Sequence, residues 1–212
     1  MENDFSKQTA EINETIKALK RKHMSGYFVN GKEELFTQLC EFIPDKTTVG
    51  CGDSVTLEEL GVFEYLRKRE IRFLDKFEPS LTKKEKKEIY RKNFMADTFI
   101  TGTNAVTKAG MLFNIDGNGS RVAPMIYGPD QVIVVVGTNK IVKDTEEAVK
   151  RTRQVAAPLD ARRLGKSTPC TVLNRCIDCG HRERICNDFV LITGQFDEER
   201  IKVIFVNGEF GY

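Results

Sequence analysis

Four of the chain's six cysteines fall within residues 168 to 188, TPCTVLNRCIDCGHRERICND, with the spacing Cys170-x5-Cys176-x2-Cys179-x6-Cys186. Two thiolates in a C-x-x-C unit can reach one ion, and two flanking cysteines can complete a four-sulfur shell. Thiolates suit zinc and iron–sulfur clusters alike, so the expected occupant is either of these. Arg175, Arg182 and Arg184 are interleaved, and positive charge favours the thiolate. The competing reading is a redox pair or uninvolved thiols. Of the other two cysteines, Cys40 is expected in the core on a helix, and Cys51 in a glycine loop where a ligand could meet it.

That loop, Val49-Gly50-Cys51-Gly52-Asp53-Ser54-Val55-Thr56, joins an expected strand to an expected helix. Free N–H groups at a helix start bind anions, and glycines let backbone approach a ligand. The loop lacks the third glycine of a dinucleotide fingerprint and the Gly-Lys-Ser/Thr of a phosphate loop, so no nucleotide cofactor motif is visible. The plain alternative is a tight turn with a Ser/Thr cap. A second polar run collects Asn104, Asn114, Asp116, Asn118 and Arg121. Arg121 is placed to pair with a carboxylate or phosphate, and Asp116 to act as a base or to cap a turn. Histidine is scarce: His23 ends a basic helix and His181 lies among the cysteines. Proton transfer near the glycine loop would therefore fall to Asp53 or Asp116.

These groups need a scaffold. The 212 residues are 40% hydrophobic and 30% charged, enough for one sizeable core, and the net charge of +2 does not argue for nucleic acid. No apolar run is long enough to span a bilayer, and the charged N-terminus lacks the pattern of a signal peptide. A cytoplasmic protein is expected, with thiols in place of disulfides. Phe5, Thr9, Ile12, Ile16 and Leu19 mark an amphipathic helix within residues 3–24. Strands are expected at 26–30, at Thr47–Val49, at 71–77, over the β-branched run 131–138 and in two late apolar segments. Helices are expected at 31–43, 56–70 and 81–96, the last with a solvated lysine face. Another opens on the Asp144/Glu147 capping pair and is expected to end at Pro158. Segments 97–107 and 111–116 read as a hairpin. The alternation implies an α/β fold, an open and mostly parallel sheet with helices on both faces, as a single domain over 1–212. The cysteine segment 168–188 is expected as an excursion without a core of its own, with the ligand pocket elsewhere.

Three blocks, in order, resemble the LUD domain, the lactate-utilisation (LutC-like) family. They are TVGCGDSVTLEELGVFEYL, the long NAVTKAGMLFNIDGNGSRVAPMIYGPDQVIVVVGTNKIV, and the PC…C-x-x-C…RICN segment of short, stand-alone members. The resemblance runs from about residue 8 to the end. It implies a fold similar to the NagB/RpiA/CoA-transferase group, with the phosphate- or CoA-binding loop role falling to Gly50, Gly52, Asp53, Ser54 and Thr56. It also implies a part in oxidising lactate to pyruvate, with electrons passed to redox partner subunits. The chain lacks the repeated ferredoxin-type cysteine motifs and any flavin motif. The expected function is thus binding of a small anionic metabolite between the two loops. The alternatives are a non-catalytic metal-containing subunit that docks a redox partner, and a sugar-phosphate isomerase or CoA-transferase-like enzyme.

Overall fold

The computed structural model describes residues 2–212, with side chains from Thr9 onward. Phe5 therefore lies outside the described side chains. Ten strands are described: β1 (Ser25–Val29), β2 (Thr48–Cys51), β3 (Arg72–Phe73), β4 (Thr98–Thr101), β5 (Ala105–Thr107), β6 (Leu112–Asp116), β7 (Gln131–Gly137), β8 (Ile141–Val142), β9 (Asp188–Ile192) and β10 (Ile201–Val206). Six form one sheet in the order β1-β10-β7-β4-β2-β3, and every pairing in it is parallel. The fold is α/β, as the alternation implied.

The central strand β7 shows why this sheet is covered twice. Ile133 and Val135 point into a core with Leu35, Leu39, Leu57 and Ile204, beneath the helices Lys32–Phe42 and Val55–Glu59. Val132, Val134 and Val136 point the other way, into a core with Ile12, Leu19, Phe99 and Phe205 under the helix Glu2–Lys20. A strand apolar at five successive positions has no solvent face, which is the pattern of a parallel sheet buried on both sides.

A second sheet, β8-β5-β6-β9, is mixed. The hairpin expected over 97–116 forms only in part. β5 and β6 pair antiparallel, but Thr98–Thr101 belongs to the large sheet. The chain leaves one sheet and enters the other at Gly102–Asn104. The hairpin turn carries Gly110 at φ 74, and a Cβ there would stand 2.6 Å from backbone atoms of Ala18 and Leu19. That close approach demands glycine.

Three expected boundaries move. The helix expected over 56–70 is two short helices, Val55–Glu59 and Val62–Arg67, broken where Gly61 takes φ 70. The strand expected over 71–77 pairs only at Arg72–Phe73. Pro158 does not end its helix. A wide turn at Thr152–Ala156 absorbs the missing N–H, and the helix runs on through Ala157–Arg163.

Candidate functional site

The large sheet's strands all end on one side, and a cleft of about 510 Å³ opens beyond those ends. β2 delivers Asp53 and Ser54, β3 leads to Lys76, β4 to Gly102–Asn104 and β7 to Lys140. This is where ligands sit in open α/β sheets. The wide turn supplies another wall: Thr152 lines the cleft, and its buried hydroxyl has no partner. Seven cationic side chains line the cleft against four carboxylates.

Two of these cations are buried lysines. Lys76 is 7% exposed and has no ion-pair or hydrogen-bond partner among the described residues. Its ammonium lies over the rings of Phe77 and Tyr90, at 5.0 and 5.6 Å. Burial pushes its pKa down, opposed by the charges of Asp53 and Cys51. Lys140 is 3% exposed and donates to Thr56 Oγ1 at 2.7 Å. Burial, with the nearby Arg151 and Arg121 charges, pushes it down to about 7. Arg163 bridges Asp53 and Asp160 at 3.0 and 2.8 Å, and those carboxylates hold its pKa up.

The residues expected from sequence divide. Asp53, Ser54, Asn104, Asp116, Asn118 and Arg121 line the cleft; Gly50, Gly52, Thr56 and Asn114 do not. The glycines answer to packing. A Cβ on Gly50 would lie 2.5 Å from Asn93 Oδ1, and one on Gly52 2.4 Å from Thr101 Oγ1. Ser54 caps the following helix, accepting from Leu57 N–H at 3.3 Å, but that helix has only five residues. The turn-and-cap alternative therefore describes this loop best.

Asp116 and Arg121 hold up the second loop. Both Asp116 oxygens accept backbone N–H groups, from Gly117, Asn118, Arg121 and Val122. Arg121 spends all four Nη hydrogens on protein acceptors: Gly102 O, Asn114 Oδ1, Asn104 Oδ1 and Ile115 O. A bidentate grip on a ligand would require breaking those bonds, so the expected anion-holding role does not fit Arg121. It is a half-buried brace between the two sheets, and burial lowers its pKa. Asn104 is similarly engaged, accepting from Ile115 N–H at 2.9 Å.

Sequence reasoning missed Lys76, Tyr90, Lys140 and Arg163. The signal for both lysines was available: each follows the end of a strand in a parallel sheet. Cys51 was expected to meet ligand, but it is 1% exposed and burial pushes its thiol up to about 12. Cys40, expected in the core, is exposed.

The cysteine segment is not remote from this cleft. Arg182, Glu183, Arg184, Ile185 and Asn187 form one of its walls. Behind that wall, Cys170, Cys176, Cys179 and Cys186 line a single small apolar cavity. Arg184 and Ile185 border both spaces.

The sequence profile of the LUD domain matches residues 12–206. The chain belongs to the LUD-domain family. This LUD domain also resembles the crystal structure of a DUF162 family protein from Deinococcus radiodurans, at 13% identity and a TM-score of 0.53. The likeness covers 95% of this chain and 98% of that one, and at this identity it speaks for the fold alone. No curated relative matches the sequence. Family membership connects the domain with lactate utilisation in general terms. Among the described residues, no helix is long and apolar enough to cross a membrane.

Proposed function

We propose that this LUD domain binds a small organic anion, a carboxylate or phosphate ester of lactate or related organic-acid metabolism, in the cleft beyond its strand ends. One observation carries the reading: Lys76 is a buried ammonium at the cleft without a counter-ion among the described residues. An isolated buried cation is costly, and a bound anion removes that cost. Lys140 adds a second charge whose proton is exchangeable near neutrality, and Arg163 a third that is already shared with Asp53. Lys140 is the candidate for moving a proton on a bound ligand, with Asp53 as its alternative. Asp116 keeps its loop in place. Oxidation of a hydroxy acid would also need an electron acceptor, and the natural source is a partner subunit.

Calorimetric titration of pyruvate, lactate, sugar phosphates and CoA thioesters tests this, with wild type beside Lys76→Met. The substitution keeps the stem and deletes the charge. Affinity for the tightest ligand is expected to fall at least about tenfold, the effect of losing one charge-assisted contact. Equal affinity in both proteins would remove Lys76 from the site. A preference for sugar phosphates or CoA thioesters over simple carboxylates would move the reading to the isomerase or transferase class.

A further inference from the structure

We propose that Cys170, Cys176, Cys179 and Cys186 hold an iron–sulfur cluster in the wall of the cleft. All four thiols are free and half-buried, and all face the same cavity, otherwise walled by groups such as Ala157, Pro158, Ala161 and Ile177. Four thiolates around one cavity are the ligand set of an iron–sulfur cluster, each binding an iron of the cluster. A tetrahedral zinc ion, with Zn–S bonds of about 2.3 Å, is the competing occupant.

The surroundings are those of an anionic sulfur centre. Asp178, in the left-handed region at φ 53, turns its backbone N–H onto Cys176 Sγ at 3.4 Å. Arg153 Nη2 reaches the same sulfur at 3.6 Å. Arg184 is pinned by its Nη groups to the carbonyls of Cys179 and Cys186, at 2.7 and 2.9 Å. Its Nε–H is buried beside the cavity without a well-formed acceptor among the described residues, and its side chain lies against the Cys186 thiol. A buried donor of this kind normally has a partner. A cluster sulfide or thiolate would supply one, and hydrogen bonds to sulfur are among the factors that set a cluster's potential. This assignment does not depend on anion binding in the cleft.

The test is anaerobic reconstitution of the full chain with ferrous iron and sulfide. Expected are a brown protein with broad visible absorption that bleaches with dithionite, and matching amounts of iron and acid-labile sulfide. Cys176→Ala and Cys179→Ala should lose most of the iron and the colour, while Cys40→Ser, at an exposed site outside the segment, keeps both. Should the alanine variants fail to fold, Arg184→Gln decides. It leaves all four ligands, so the colour should remain while the reduction potential shifts. Full iron in Cys176→Ala, zinc in place of iron, or four alkylatable thiols after reconstitution would overturn the assignment, as would an unchanged potential in Arg184→Gln.

Discussion

Affinity for a carboxylate ligand is expected to fall about tenfold between about pH 6 and pH 8, because Lys140 must be charged to hold it. Burial brings Lys140 to about 7. Its charged fraction then drops from about 0.9 to about 0.1 over that range, which is about 1.4 kcal/mol of binding energy. At about pH 7, roughly half of the sites must take up a proton on binding. Pyruvate is a suitable probe, since its carboxylate stays ionised throughout, whereas phosphate would titrate in the same window. Calorimetry in two buffers of different ionisation enthalpy reads the proton uptake directly. The same group makes stability depend on pH. Its ordinary value of 10.5 applies to the unfolded chain, so between about 7 and 10.5 the unfolded state binds more protons than the folded one. Stability therefore rises with pH across that window. The cost of the buried charge is fully present below about pH 7, and its full size is on the order of 5 kcal/mol. Lys76, also pushed down by burial, adds in the same direction. Lys140→Met should flatten both dependences. Pyruvate affinity that stays level from pH 6 to pH 8 in wild type, or falls equally in Lys140→Met, would refute the reasoning.

Lys76→Met should raise the thermal midpoint while it weakens ligand binding, since deleting an uncompensated buried charge relieves the fold; a lowered midpoint would contradict this. Arg121→Lys keeps the charge but loses the fork that ties Gly102, Asn104, Asn114 and Ile115 together. It should cost about 3–5 kcal/mol in urea unfolding, the range for breaking a buried charged network. Gly52→Ala places a methyl group 2.4 Å from Thr101 Oγ1 and 2.8 Å from Arg121 Cγ. A loss of about 1–3 kcal/mol is expected from overpacking, again read by urea unfolding. In the native protein at mildly alkaline pH, alkylation followed by mass spectrometry should label exposed Cys40 and leave Cys51 untouched.

The fold was more legible than the site. The run QVIVVVGT announced a strand covered on both faces, because the five apolar residues from Val132 to Val136 without a polar gap cannot leave one face in water. The break between β4 and β5 was not readable. DTFITGTNAVT is apolar enough to be one strand, and only tertiary pairing sends its halves into different sheets. Pro158 misled because its cost depends on the turn before it, and a wide turn leaves no carbonyl waiting for its N–H. At the cleft, residue type pointed to loops that line it but not to which side chains are left free there. Asp116 and Arg121 carry chemically capable groups, but their donors and acceptors are consumed by a loop and a sheet junction. That depends on geometry the linear sequence does not carry.

The same accounting of donors separates scaffold from site across the molecule. Every Nη hydrogen of Arg121 ends on a protein oxygen, so the guanidinium explains itself through the fold. Lys76 does not. Leucine or methionine would fill its place between Phe77 and Tyr90 at lower cost, and no carboxylate among the described residues pairs with it. The Arg184 Nε–H does not either, since the two Nη contacts already fix the side chain and leave this donor facing sulfur. Thr152 Oγ1 is a third such group, inside a wide turn that a regular helix would have closed. Lys76 and Thr152 border the cleft, and Arg184 stands between the cleft and the cysteine cavity. Asn93 Oδ1 and Asn114 Nδ2 are also unmatched but border neither space; the two proposals rest on the groups that do, an anion in front of the Arg184 wall and a sulfur-bound metal centre behind it.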